Sequence, residues 1–251
     1  MKISKERVVA VIPARLESSR LPNKPIADIC GIPMIVHVLK RCHLSKTLDD
    51  VIVATDSKEI FNMVTSHHGK AIMTSSSHKT GTDRVAEAAK SIDADIIVNV
   101  QGDEALVNPE SIDKVVSELI ENPDINVGIL INPFSKRNSP SDIKAVFDKN
   151  MDILYFSRGD IPSNARSENP IMYKAYHIVP FRTEFLLQYS EMEQTTLEKA
   201  EFNEYLRILE NGYKIRAVEV DSDAVSVDTS EDLEFVRRKM LSDKYFPIYA
   251  H

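Results

Sequence analysis

VVAVIPARLESSRLPNKP, residues 8 to 25, is the stretch on which the fold turns. Its first half is an apolar, β-branched run with the length of a buried strand. Pro13 is expected to end that strand, because proline cannot continue a central ladder. Its second half places Arg15, Arg20 and Lys24 within ten residues, with Ser18 and Ser19 between them. Forked guanidinium donors and a compact ammonium suit phosphate oxygens. Loops at the carboxyl ends of strands are also where open α/β sheets bind ligands. A solvated basic loop would use the same residues, so the rest of the chain must decide. Neither the Rossmann glycine fingerprint nor the Walker phosphate loop occurs.

Working outward, strand and helix patterns alternate. Ile32 to Cys42 has helical spacing, Asp50 to Asp56 reads as a second buried strand, and Ser57 to His67 as the helix after it. Ala71 to Thr74 is a short strand opening into SSSHKTGTDR, then a helix from about Thr82 to Ile92. Hydroxyls with Gly81 and Arg84 beside a helix start suit an anion or a base edge, although taken alone a serine-rich turn capping the helix is the commoner meaning. Asp95 to Val100 is the most strand-like run and ends in Gln101-Gly102-Asp103-Glu104. A carboxylate at a strand end suits a hard cation such as Mg²⁺, which takes one or two protein carboxylates and completes its shell with phosphate oxygens and water. A solvated turn is the alternative for Asp103. This βαβα rhythm predicts an α/β fold with a mainly parallel, Rossmann-like sheet covered by helices.

Pro109 to Glu121 is an amphipathic helix presenting Ile112, Val115, Val116 and Leu119. From Val127 the pattern changes to alternating strands over Val127 to Ile131, Ala145 to Phe147, Ile153 to Ser157 and Met172 to Val179. We expect a smaller mixed or antiparallel insertion over about residues 127 to 180 of a single domain spanning 1 to 251, offering a second pocket and a subunit contact. Leu197 to Asn211 reads as one helix with Leu197, Phe202, Leu206 and Leu209 as its buried stripe. Ile215 to Val220 and Val225 to Val227 read as strands. Thr229 or Ser230 caps a last helix to about Met240, leaving Asp228 available for another role. Residues 242 to 251 carry no structural signal.

The chain has 251 residues and a formal net charge of −7. That balance opposes a general nucleic-acid binder, whose affinity rests on Lys and Arg neutralising phosphates. Two cysteines, Cys30 and Cys42, are too few for a disulfide framework and read as reduced thiols of a cytoplasmic protein. No apolar run is long enough to span a bilayer, and residues 1 to 7 lack the apolar core of a signal peptide.

Together these segments resemble the 3-deoxy-manno-octulosonate (Kdo) cytidylyltransferases. The resemblance begins with IPARLESSRLPNKPIADICGIPMIVHV. It continues in family order through VIVATDS, MTSSSHKTGTDR, IIVNVQGDE, LYFSR, LEKAEFNEYLR and VDTSEDLE, covering nearly the whole chain. It implies an α/β nucleotidyltransferase, a homodimer, that joins CMP from CTP to the anomeric hydroxyl of Kdo for lipopolysaccharide or capsule synthesis. Carried over by position, Pro13, Ala14 and Arg15 would frame the cytosine and ribose with Thr80, Gly81, Thr82 and Arg84. Arg20 and Lys24 would hold the triphosphate. Asp103 and Asp228 would ligate Mg²⁺. Gln101, Arg158 and Glu204 would face the sugar acid. Two segments depart from the family pattern, with Ala175 and Val179 in one and Tyr205 in the other. Tyr176, His177 and Tyr205 are the residues expected to compensate there. Otherwise the acceptor becomes another acid, such as an amino-Kdo, a different 3-deoxy-2-ulosonate or a phosphonate. A nucleotide-binding protein without catalysis is the reading of another class, and retention of Lys24, Asp103 and Asp228 speaks against it.

Overall fold

The computed structural model describes residues 6–16, 21–166, 170–221 and 225–250. In chain order its strands are β1 (Val8–Ala14), β2 (Asp28–Ile29), β3 (Ile32–Pro33), β4 (Asp50–Thr55), β5 (Lys70–Met73), β6 (Ile96–Val100), β7 (Gly128–Phe134), β8 (Lys144–Phe147), β9 (Ile153–Ser157), β10 (Met172–Tyr176), β11 (Ile178–Arg182) and β12 (Arg216–Glu219). The α-helices are α1 (Met34–Cys42), α2 (Lys58–Ser66), α3 (Gly81–Ala89), α4 (Pro109–Glu121), α5 (Thr183–Ser190), α6 (Thr196–Glu201), α7 (Leu206–Glu210), α8 (Ser230–Met240) and α9 (Phe246–Tyr249).

The first sheet has the order β11-β6-β1-β4-β5. Its β6, β1, β4 and β5 run parallel, and β11 closes the edge antiparallel to β6. Side chains of a strand alternate between faces. Val9 and Val11 of β1 enter one core with α3, while Val8, Ala10 and Ile12 enter another with α1 and α4. With both faces buried, the strand reads as an unbroken apolar run. Pro13 does not end it. β1 continues to Ala14, pairing with β4 at Pro13↔Ala54, while its ladder to β6 stops at Val11↔Asn99. The missing N–H therefore falls where the second ladder has already ended.

The second sheet has the order β12-β7-β10-β8-β9 and is mixed. The run Met172 to Val179, expected to be one strand, is divided at His177: β10 belongs to the second sheet and β11 to the first. Alternation passes straight through the division. Ala175, Val179 and Phe181 face one core, and Tyr176 and Ile178 the other.

Three further expectations are corrected. The helix from Leu197 to Asn211 is two short helices, α6 and α7. At the end of α6, Phe202 has φ 48° and is 82% exposed, instead of lying in a buried stripe. The cause is distant in sequence: the Arg158 guanidinium donates to the carbonyls of Glu201 (2.7 Å) and Phe202 (3.1 Å), satisfying the end of α6 from outside. Val225 to Val227 is not a strand but an irregular segment, with the Val227 N–H donating to the Asp103 carbonyl at 3.1 Å. The last residues are not featureless, since α9 packs Phe246 and Tyr249 against His37.

His37 is fully buried, and its Nε2 lies 2.8 Å from the Ile29 carbonyl, which can only accept. Nε2 therefore carries the proton, and Nδ1 accepts from the Tyr249 hydroxyl at 2.9 Å. Burial pushes the His37 pKa below its ordinary 6.5, with the Ile29 carbonyl pulling upward and Arg41 adding to the lowering. Below that ordinary value the unfolded chain binds the proton more tightly than the fold, so stability is lost as pH falls through it. In urea titrations the wild type is expected to lose on the order of 1 kcal/mol more than His37→Gln between about pH 7.5 and 5.5. Parallel slopes for the two proteins would refute this. His43 and His177, lowered by burial in the same way, cancel in the comparison.

Candidate active site

β1 lies between β4 on one side and β6 on the other, so the crevice at its carboxyl end is a switch point of the sheet. A cleft of about 720 Å³ opens there. Of the predicted nucleotide and catalytic residues, Pro13, Ala14, Arg15, Lys24, Thr80, Gly81, Arg84, Asp103 and Asp228 line it. Arg20 lies outside the described residues. Thr82 does not line the cleft, because the first turn of α3 points its side chain inward and buries it completely. The Arg84 guanidinium is buried and ties two strand ends together, donating to Thr74 Oγ1 (2.6 Å) and Asp56 Oδ2 (2.9 Å).

Lys24 opens a short 3₁₀ turn, Lys24–Ile26, after Asn23 in a left-handed conformation. Its Nζ lies 2.6 Å from Asp103 Oδ2 and 3.3 Å from Asp228 Oδ1. Burial disfavours the ammonium charge. Asp103 and then Asp228 more than offset this and hold the Lys24 pKa above its ordinary value. Asp103 follows Gly102, where an added Cβ would come within 2.9 Å of the Pro13 carbonyl oxygen, so only glycine allows β6 to deliver the carboxylate this close to β1. Asp228 is delivered by the segment before α8. The Asp228 and Thr229 N–H groups both donate to Asp232 Oδ2, at 3.1 and 2.9 Å. The Ser226 hydroxyl donates to buried Glu104, whose carboxyl is pushed up to about 7 by burial and then by Asp103.

Two hard oxygen ligands converging on one cation fit the donor set of Mg²⁺. Among the described residues no group of three or more His, Cys, Asp or Glu is arranged to hold a metal, so phosphate oxygens or water would complete the shell.

A second cavity, about 700 Å³, adjoins the first and shares Arg15, Thr80, Gly81 and Gln101 with it. It takes in the predicted acceptor residues Gln101, Arg158, His177, Glu204 and Tyr205. Tyr176 is not among its lining residues. It lies on the opposite side of β10, in the other core, with Lys174 Nζ 5.5 Å from its ring centre. Arg158 also donates to the Pro140 carbonyl at 2.8 Å, so three of its five N–H groups hold backbone carbonyls. His177 sits where the chain crosses between sheets, its ring 5.8 Å from that of Tyr205. Burial lowers its pKa and favours the neutral imidazole. The break between α6 and α7 turns Glu204 and Tyr205 into the cavity together with Asn203 and Phe202. Burial raises the Glu204 pKa against the pull of the Thr80 and Thr82 hydroxyls.

Sequence reasoning missed His78 in the first cavity and Asn203 in the second. His78 stands inside a loop already singled out and pairs with Glu87. Asn203 is hidden by the single-helix reading, although asparagine is among the residues that follow helix ends.

A central β1 flanked on both sides, a lysine between two carboxylates and an adjoining second cavity define the class, an α/β nucleotidyltransferase. The family described as Cytidylyltransferase matches residues 9–215. A 3-deoxy-manno-octulosonate cytidylyltransferase of Syntrophus aciditrophicus (strain SB) is 44% identical over 243 residues, covering 94% of this chain and 98% of the relative. One from Geobacter metallireducens (strain ATCC 53774 / DSM 7210 / GS-15) is 41% identical over 248 residues, covering 93% and 98%. A CMP:2-keto-3-deoxy-manno-octonic acid synthetase solved in complex with CTP superposes with a TM-score of 0.91 at 38% identity, covering 94% of this chain and 99% of its own. The chain belongs to the 3-deoxy-manno-octulosonate cytidylyltransferase family, within the cytidylyltransferases. A cytidylyltransferase from Leptospira borgpetersenii serovar Hardjo-bovis (strain JB197) shares the fold at 19% identity, with a TM-score of 0.65, covering 95% of this chain and 88% of its own.

Proposed function

We propose that the protein transfers CMP from CTP to the anomeric hydroxyl of Kdo, giving CMP-Kdo and pyrophosphate. The observation that carries this is the pair of adjoining cavities: Lys24, Asp103 and Asp228 stand in the first, and Arg15, Thr80, Gly81 and Gln101 are common to both. The anomeric oxygen forms a bond to the α-phosphorus, the bond from that phosphorus to the bridging oxygen breaks, and the hydroxyl proton is released. An anion therefore attacks a polyanion, and positive charge must be in place beforehand. Lys24, held protonated by its two carboxylates, supplies part of it. Asp103 and Asp228 would hold Mg²⁺, which when bound neutralises phosphate charge and lowers the pKa of a ligated hydroxyl.

On the acceptor side, His177, Tyr205, Glu204 and Gln101 offer a mixture of donors and acceptors suited to a polyhydroxy acid, and Arg158 retains two N–H groups for its carboxylate. A pocket of this kind discriminates by leaving its own polar groups unpaired against the wrong substrate. The test is pyrophosphate release from CTP and Mg²⁺, with and without Kdo, beside a panel of related acids. Kdo-dependent release is expected. Release only with another 3-deoxy-2-ulosonate or an amino-Kdo would keep the reaction and reassign the acceptor, and no release with any acid would overturn the reading.

The proposal includes a cytoplasmic homodimer. Leu154 and Ile171, 62% and 67% exposed beside the second sheet, support a subunit contact, and a monomeric mass by light scattering would oppose it. No helix among the described residues is long and apolar enough to cross a membrane.

A further inference from the structure

Two residues connect the halves of the site without lining either cavity. Thr82 and Asn99 are both fully buried. Gln101 Nε2 donates to Asn99 Oδ1 at 3.2 Å, Asn99 Nδ2 donates to Thr82 Oγ1 at 2.9 Å, and Thr82 Oγ1 donates to Glu204 Oε1 at 2.6 Å. Asn99 Nδ2 also lies 3.5 Å from the Tyr205 hydroxyl. With Glu204 ionised the directions of this chain follow in turn. The carboxylate only accepts, so the single Thr82 proton goes to Glu204, the Thr82 lone pair receives the Asn99 amide, and the Asn99 oxygen is left for Gln101.

The ends of the chain are the functional groups. Gln101 lines both cavities and Glu204 the second. Glu204 comes from the non-helical link between α6 and α7, so the backbone there does little to fix its carboxylate. Its other oxygen, Oε2, is buried and has no hydrogen-bond partner of good geometry among the described residues, although the Thr80 hydroxyl also pulls on the carboxylate. An unsatisfied buried carboxylate oxygen beside a cavity is costly unless a ligand pairs with it.

We propose that Thr82 and Asn99 form a positioning relay that locks the Gln101 amide and the Glu204 carboxylate in one mutual arrangement. Oε2 is thereby presented to a hydroxyl of the acceptor while the acceptor is held in register with the nucleotide. Thr82 accordingly serves acceptor recognition through Glu204 and is not a nucleotide contact. This rests on the acceptor reading above.

Thr82→Val keeps the shape and removes the hydroxyl, whereas Thr82→Ser keeps the hydroxyl. With Kdo as acceptor, Thr82→Val is expected to raise the acceptor KM by about tenfold or more, the loss typical of a buried hydrogen bond to a charged group. CTP affinity by calorimetry stays within about twofold, because the Thr82 side chain is buried away from the first cavity and the nucleotide keeps its own contacts. Thr82→Ser restores most of the loss. Adding Thr82→Val to Glu204→Gln costs much less than the single change does in the wild type, because coupled residues are not additive. Weakened CTP binding with an unchanged acceptor KM, or Thr82→Ser as impaired as Thr82→Val, would overturn the relay. A crystal structure of Thr82→Val reads the positioning directly and needs no turnover. A displaced Glu204 carboxylate is expected, and one that has not moved overturns the relay. If the wild-type protein fails to use Kdo, the acceptor assignment falls, and this structure still decides the relay.

Discussion

Asp103→Asn is expected to lower turnover by about 10³-fold or more with the fold intact, and Asp228→Asn to do the same, since each removes half the negative charge available to hold the ion on which phosphate charge is neutralised. Asparagine keeps the size and one oxygen of aspartate, so packing around Gly102 and the Val227 N–H bond to the Asp103 backbone is retained. What changes is charge. Lys24 then lies between one carboxylate and one amide, and loses one of the two groups that raise its pKa against burial. Pyrophosphate release, measured across a Mg²⁺ titration beside a thermal melt, separates loss of the site from loss of the fold. Near-wild-type turnover in either variant at ordinary Mg²⁺ would remove the metal assignment from that residue.

The second large effect is on stability. Arg207 and Glu198 face each other with the side chains only 3% and 4% exposed, joined by Nε to Oε2 at 2.9 Å and Nη2 to Oε1 at 2.6 Å. The guanidinium also lies 4.7 Å over the Tyr189 ring, and Nη1 donates to the Met192 carbonyl at 3.3 Å. Arg207→Met fills much of the volume but leaves the buried Glu198 charge without a cation, held only by the Thr195 N–H at 3.1 Å and the Gln194 amide at 3.4 Å, which costs about 3 kcal/mol or more. For a chain of this size that corresponds to roughly 10 °C in melting temperature. Adding Glu198→Leu is expected to recover most of the loss, because the penalty comes from the unpaired charge rather than from the absent bond. A single variant that melts within a degree or two of the wild type would show that the pair is solvated in solution. The pair also joins α6 to α7, so the acceptor KM is expected to rise alongside the loss of stability.

Much of the nucleotide half could be read from residue order. β1, β4 and β6 are buried on both faces and appear as plain apolar runs, α4 matches its predicted bounds, and the polar loops after β1, β5 and β6 line the first cavity with Asp228. The acceptor half was harder because its decisive contacts are long-range. The division at His177 leaves no trace in hydrophobic alternation, since odd and even residues keep to the same cores on either side. Leu197, Phe202, Leu206 and Leu209 fit a helical period, yet Arg158, more than forty residues earlier, draws the chain out of helix at Phe202. The strand expected over Val225 to Val227 lacked a neighbour with which to pair, and the segment is held instead by Asp103 and Glu104. The aromatic residues of α9 found meaning only through His37, on the first long helix.

The passage of one chain from β10 into β11 has a consequence for how such an enzyme can diversify. Lys24 and Asp103 of the first cavity follow strands of one sheet, whereas Arg158 follows β9 of the other and His177 marks the crossing itself. Substitutions after β9 and at the crossing would therefore act on the second cavity before the first. The crossing is no clean boundary for exchange, since Glu204 and Tyr205 follow it in the chain and Gln101 follows β6: a new acceptor would have to be met from both sides of the seam.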